Sequence, residues 1–380
     1  MLRVCKGVVV VAIKRIGARG IIQHCLALLG GVLAAFGARA ANLPEDTAEA
    51  LVHTYVGGGV TATGPAFLVR KKILDTVSLS ANYYLDAVSN ASIDVVTTAS
   101  KYRENRNEYG FGLAYGYRDS EITLASSFSR EPDYTANRIG LDISQETFGG
   151  LTTVSLGFTR GNDQISKRDA PEFKDVATHW QYRLGLTQII SPRWIMSANV
   201  EALADSGFLG SPYRSARIFG ATVPERTPRT RSGRALKLRV IGDLGSRDAI
   251  NFSYRYYQDT WDVKGHTGDI GYSRYIGQKW LADATVRGYS QNRALFYSDN
   301  AGAETAFISR NRQLSAFNSI GLNLKATYLL GKVANDKYDV KLNAAYELTH
   351  FKFKDFTDIR SGSPYSYKAN IFQVYVSAAY

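Results

Sequence analysis

From residue 51 onward the sequence alternates apolar and polar residues with period two, in runs of about ten residues or more. Residues 76–87 show the pattern, with Val77, Leu79, Ala81, Tyr83, Leu85 and Ala87 on one parity. Thr76, Ser78, Ser80, Asn82, Tyr84 and Asp86 take the other. Such a run is a strand with one apolar and one wet face, and about ten residues is the span of a tilted strand crossing a bilayer. A soluble β-sandwich would instead show strands of about five residues and more prolines than the 9 present in 380 residues. The fold expected is all-β: a transmembrane antiparallel up-and-down β-barrel.

Residues 1–40 stand apart from this pattern. They carry Arg3, Lys6, Lys14, Arg15, Arg19 and Arg39, no acidic residue, and an apolar run before Ala38-Arg39-Ala40. That is the layout of a secretory signal peptide. An N-terminal membrane anchor is the alternative, but residues 26–36 are short for about 30 Å of hydrocarbon. Removing the leader's basic residues takes the net charge from +12 to +6. The remaining basic residues form no stripe, so nucleic acid is not an expected partner. Cys5 and Cys25 leave with the leader, which excludes disulfides, thiolate metal sites and cysteine nucleophiles from the mature chain. Residues 41–50 read as a short periplasmic lead-in and residues 51–380 as the barrel. No mature segment is apolar for long enough to form a membrane helix, so a spanning role requires closed strands.

Taken in order, strands are expected at 51–56, 60–72, 76–87, 107–118, 121–130, 134–146, 151–161, 176–190, 193–205, 231–243, 248–262, 266–276, 279–290, 313–330, 337–352 and 366–380. Short and long connections alternate between them, and in such barrels short turns face the periplasm. With the last strand descending, the tight turns fall on one side only if residues 51–56 add a sixteenth strand. Fourteen is the alternative if the N-terminal hairpin stands outside the wall. Gly57-Gly58-Gly59 is a turn free to take positive φ. It lacks the lysine and helix of a phosphate loop.

One parity carries Tyr109, Phe111, Leu113, Val154, Leu156, Leu236, Leu238, Phe252, Tyr254, Leu322, Leu324 and Leu342, the expected lipid face. Trp180, Trp194, Trp280 and Tyr380 sit near strand ends, as interfacial aromatics do. The other parity offers a lumen lining of Arg183, Glu201, Lys237, Arg239, Arg255, Asp259, Asp283, Arg287, Lys325, Lys341 and Glu347, with Asp339. Sixteen strands enclose more space than side chains fill, so a pore with weak anion preference is one expectation. Charges pairing along a solvated wall is the other. Gly110, Gly112, Ala114 and Gly116 leave room on this face for a loop. The candidate loop is 206–230, with Tyr213, Arg214, Arg217, Glu225, Arg226 and Arg229. Arginine forks bind carboxylates and phosphates bidentately, so this loop would constrict the pore if folded inward and be plain surface if folded outward.

The last strand places Phe372, Val374, Val376, Ala378 and Tyr380 on one face and ends on an aromatic. It resembles the C-terminal insertion signal of bacterial outer-membrane barrels, with Tyr in place of Phe. Pro212-Tyr213-Arg214 followed by Pro224-Glu225-Arg226-Thr227-Pro228-Arg229-Thr230-Arg231 resembles a signature of an uncharacterised family of predicted bacterial outer-membrane proteins, a domain of unknown function. Tyr254-Arg255-Tyr256-Tyr257-Gln258-Asp259-Thr260-Trp261 with His266-Thr267 resembles a second. Tyr289-Ser290-Gln291 with Leu295-Phe296-Tyr297 resembles a third, and Asp86-Ala87-Val88-Ser89-Asn90-Ala91-Ser92 a fourth. The resemblance covers most of residues 50–380. It implies a barrel in the outer membrane of a Gram-negative bacterium and no activity. It also implies proximity to flavin-transfer and thioredoxin-like proteins, hence to envelope redox systems, for which this chain has no cysteine or haem motif.

Three functional classes follow. The first is a porin-like channel for small solutes. The second is a closed barrel serving as a surface or envelope interaction or assembly protein. The third is an outer-membrane hydrolase using His179 or His266 with a nearby Asp, against which stands the plainer role of polar rim histidines. No catalytic residue, cofactor or metal ligand set is assigned, because no His-x-His or carboxylate–histidine spacing occurs. The expected partners are outer-membrane lipid, the barrel assembly machinery and small polar solutes.

Overall fold

The computed structural model describes residues 43–90, 102–334 and 337–380. The leader, both cysteines, and Ala91 and Ser92 of the fourth signature lie outside the described residues. Sixteen antiparallel strands close a barrel. They are β1 (Thr47–Gly57), β2 (Val60–Leu74), β3 (Val77–Asn90), β4 (Tyr102–Tyr117), β5 (Ser120–Arg130), β6 (Tyr134–Thr147), β7 (Thr152–Ser166), β8 (Lys174–Ser191) and β9 (Trp194–Gly207), then β12 (Thr230–Gly245), β13 (Asp248–Asp259), β14 (Lys264–Ile276), β15 (Trp280–Gln291), β16 (Phe317–Val333), β17 (Tyr338–Asp358) and β18 (Ser363–Ala379). A separate hairpin, β10 (Ser215–Ile218) and β11 (Ala221–Pro224), sits within the connection from β9 to β12.

The wall closes where β1 pairs with β18, from Thr47 opposite Ala379 to Gly57 opposite Ala369. Strand β1 begins inside the stretch expected as lead-in, because Thr47–Ala50 find hydrogen-bonding partners on both β2 and β18. At this seam the Tyr380 N–H donates to the Asp46 carbonyl at 3.0 Å. The Lys71 ammonium sits 4.4 Å from the Tyr380 ring centre and 2.9 Å from the Asp46 carboxylate. Further along β18, Phe372, Val374 and Val376 are exposed on the outward parity. At the other end of β1 the turn needs its glycines. Gly58 and Gly59 have φ of 57° and 82°, and a Cβ on Gly57 would lie 2.6 Å from that of Ala369.

The expected lipid face is the exposed apolar face, including Phe111, Leu156, Leu236, Phe252, Leu322 and Leu342. Several boundaries differ from expectation. Strands β7, β8, β17 and β18 run several residues further outward, so residues 354–365 are mostly hairpin. Strand β16 starts at Phe317, later than the expected residue 313, because Asn311 caps a single 3₁₀ turn over Arg312–Leu314. Among the described residues no helix is long and apolar enough to cross a membrane.

Candidate functional site

The inward parity is charged and wet. The Arg183 guanidinium meets Asp142 at 2.7 Å, Arg255 meets Glu201 at 3.0 Å, and Arg287 meets Asp269 at 2.6 Å. The side chains of Arg287, Asp142 and Arg183 remain 58%, 49% and 38% exposed. Side chains pointing into a packed interior would be buried, so these line solvent-filled space. Asp283 accepts from Ser273 at 2.5 Å, and Glu347 accepts from Thr349 at 3.0 Å. Lys325 lies 5.7 Å from the Tyr375 ring centre. Among the described residues no carboxylate is paired with Lys237, Arg239 or Lys341. Ion pairs therefore coexist, among the described residues, with charges of both signs that have no ion-pair partner: Lys237, Arg239 and Lys341 against Asp283 and Glu347.

Asp259 does not line the lumen as expected. Its carboxylate is fully buried, holding Arg231 at 2.5 Å, accepting from the Tyr257 hydroxyl at 2.8 Å and from the backbone N–H of Trp261 and Val263. It fastens the turn from β13 to β14. It also belongs to a set of inward groups near the outer end: Tyr134 donates to Asp163, and His179 sits 2.9 Å from Asp163 and 2.8 Å from Asp205. His179 thus bridges two carboxylates. His266 is elsewhere, with Nδ1 2.6 Å from the Tyr254 hydroxyl on the outer face. Among the described residues no loop lies on the glycine stripe of β4 either. Asn82 and Ser80 of β3 lie across Gly110 and Gly112, and a Cβ on Gly112 would meet the Ser80 hydroxyl at 2.5 Å.

The loop of 208–229 folds sideways onto a second outer connection, residues 292–316. Ala216 and Ile218 of the hairpin bury against Ile308, which is 1% exposed. The Arg226 guanidinium holds Glu304 at 3.0 Å and the Thr305 carbonyl at 3.0 Å, and Ser309 donates to Glu225. Arg229 grips Asp175 bidentately at 2.7 and 2.8 Å. Arg217 reaches the Gly220 carbonyl at 3.3 Å, and the Arg214 carbonyl accepts from the Glu225 N–H at 3.2 Å. The Tyr213 hydroxyl donates to Asp133, and burial followed by that bond pushes its pKa up to about 12. The Arg226 and Arg229 forks thus grip the protein's own carboxylates, Arg226 across the two loops and Arg229 on β8.

The spacing of the strands predicts only a long connection between 290 and 313, with no functional expectation attached. The structure makes residues 292–316 the centre of the mouth. Trp261, Val263, Ala294, Tyr297, Leu314, Phe353 and Phe356 form one buried cluster, with Tyr257, Phe317 and Tyr367 against it. Phe317, Phe353 and Tyr367 lie on the inward parity of their strands, so this loop covers the inside of the mouth over β16–β18. The Arg310 guanidinium lies 4.4 Å from the Phe356 ring centre and holds Asp299 at 2.7 Å. The signal in the sequence was apolar residues where a solvated loop has none: Leu295-Phe296-Tyr297 and Phe307-Ile308.

At the rim, ligand oxygens of Glu104, Glu131 and Asp133 lie within 4.8 Å of one another, a grouping that spacing along the sequence concealed. Arg168 meets Glu104 at 3.1 Å and Tyr213 meets Asp133, so two of the three are already partnered. Burial raises the pKa of Glu131.

The model of a family described as "Protein of unknown function (DUF3570)" matches residues 97–347. The chain belongs to this family. None of the curated proteins matches it. Among solved structures, a bacterial polysaccharide outer membrane secretin is similar, with 9% identity, TM-score 0.50, 88% of this chain and 99% of that chain covered. The siderophore receptor PirA from Pseudomonas aeruginosa is similar at 11% identity and TM-score 0.45, covering 84% of this chain. This member of the DUF3570 family spans only 60% of that receptor's length. OmpT of Vibrio cholerae, in a loop L8 deletion form, shares 8% identity and TM-score 0.46, with 89% of this chain and 99% of that chain covered. These likenesses are of fold: an outer-membrane-type β-barrel.

Proposed function

We propose that this protein is an outer-membrane channel for small polar solutes with a modest preference for anions, narrowed at its outer mouth by two interlocked loops. The observation that carries this reading is the half-exposed state of inward Arg287, Asp142 and Arg183, which marks a water-filled interior. Lys237, Arg239 and Lys341 supply the preference, since a cation without a carboxylate partner attracts mobile anions in a narrow, low-dielectric passage. The test is single-channel conductance of the refolded barrel in a planar bilayer under a salt gradient. Steady openings with an anion-directed reversal potential are expected. Silence from a barrel shown to be folded by heat-modifiable gel mobility would sink the channel.

A second reading, a surface interaction protein, draws on an apolar cleft of about 440 Å³ on the outer loops, lined by Pro228, Trp261, Leu295, Phe296 and Phe307. Leu295 there is 76% exposed, unusual for a solvated loop. Deleting 295–307 would abolish co-purification of a partner under this reading and alter only conductance under the first.

A further inference from the structure

The signature from Tyr254 to Trp261 has two faces, and the lumen uses only one. Arg255, Tyr257 and Asp259 point inward, while Tyr254, Tyr256 and Gln258 point to the lipid side. There, with the Gln258 amide oriented so that its oxygen faces the guanidinium, that oxygen accepts from Arg234 Nε at 2.6 Å and Nη2 at 3.0 Å, and its nitrogen donates to the Tyr256 hydroxyl at 3.1 Å. The Tyr256 ring lies 5.0 Å from the His266 ring, and the His266 Nδ1 lies 2.6 Å from the Tyr254 hydroxyl. Register explains the assembly: Gln258 stands opposite both Arg234 and Lys264, and Tyr256 opposite His266.

This network occupies the ends of β12–β14 nearest the long loops, directly beyond the exposed apolar Leu236, Leu238, Phe252 and Ile270. Lys264 is compensated by Asp262 at 3.0 Å. Arg234 is held by an amide, and among the described residues no carboxylate is paired with it. An amide orients a guanidinium without neutralising it. An oriented, uncompensated cation is costly in hydrocarbon, and at headgroup depth it is matched by an anion.

We propose that this patch binds the phosphorylated headgroup of an outer-leaflet lipid. Arg234 and His266 meet the phosphate, the tyrosine hydroxyls meet its oxygens, and the acyl chains lie on Leu236, Phe252 and Ile270. The proposal rests on the outer-membrane placement but not on an open lumen.

The experiment is native mass spectrometry of the full refolded chain, first verified by heat-modifiable mobility, titrated with diphosphorylated lipid A or the same lipid dephosphorylated. Wild type should hold the phosphorylated lipid more tightly, and Arg234→Gln should raise its half-saturating concentration about fivefold, the contribution of one arginine near a charged lipid surface. Arg274→Gln, on the outward parity near the opposite strand ends and 3.6 Å from Asp248, should change nothing. His266→Gln serves where Arg234→Gln does not fold. Equal retention of the two lipids, an equal loss with Arg274→Gln, or no loss with Arg234→Gln or His266→Gln overturns the site. A chain that never becomes heat-modifiable overturns the membrane barrel itself, and the site with it. A folded barrel that is electrically silent yet retains the lipid removes only the channel.

Discussion

Burying a carboxylate can fasten the fold or work against it, and Asp259 on the inward face and Glu131 at the rim show the two outcomes. Asp259 is fully buried and anchors Arg231, Tyr257 and two backbone N–H groups. Replacing it with alanine leaves the guanidinium and those donors unmatched, at a cost of about 3–5 kcal/mol. The expected outcome is an outer mouth cut by limited proteolysis while the barrel wall stays protected. Glu131 behaves oppositely. Burial raises its pKa, so in the folded state its proton is retained to higher pH than in the unfolded chain. Its ionisation therefore costs stability as pH rises above the usual carboxylate range, and costs none below it. Glu131→Gln should raise the unfolding temperature of the refolded barrel at pH 7 and leave it unchanged near pH 4. Neither role is visible from residue type, because the burial and partners of each are set by the fold, as with Arg231 on Asp259.

At the scale of elements, the mouth is held by apolar contact more than by its arginines. Arg226 and Glu304 are 41% and 74% exposed, and such a surface pair contributes at most about 1 kcal/mol. Ile308, packed on Ala216 and Ile218, is worth about 2–5 kcal/mol on truncation to alanine. Arg226→Ala should therefore leave conductance nearly unchanged, whereas Ile308→Ala should release the two loops and give larger, noisier openings in the planar bilayer. An equal response to the two substitutions would contradict this ranking. The arginine-rich signature drew the functional expectation to residues 206–230, since forked cations are conspicuous in a sequence. The apolar residues of 292–316 were less so, because a loop that buries its side chains against a neighbouring strand carries no period of its own.

For the whole molecule, the proposed channel would draw its selectivity from the lumen charge. Lys237→Glu combined with Arg239→Glu places two carboxylates where no acid is paired. The reversal potential under a salt gradient should then move from anion- to cation-directed with little change in conductance.

The closed barrel and the alternation of an apolar with a wet face along each strand were legible in the sequence alone, while the choice between sixteen and fourteen strands was decided by β1 pairing with both β2 and β18. The alternation is legible because a strand crossing a bilayer must satisfy two different solvents with a period of two, and this repeats in every strand. What the outer loops do, which lumen charges are neutralised, and that Gln258 rather than an acid steadies Arg234 were decided only by the tertiary structure. Those contacts join residues far apart in the chain, such as Arg226 with Glu304 or Tyr213 with Asp133. Their partners are set by closure of the ring and by loop packing, and no local pattern in the sequence encodes either.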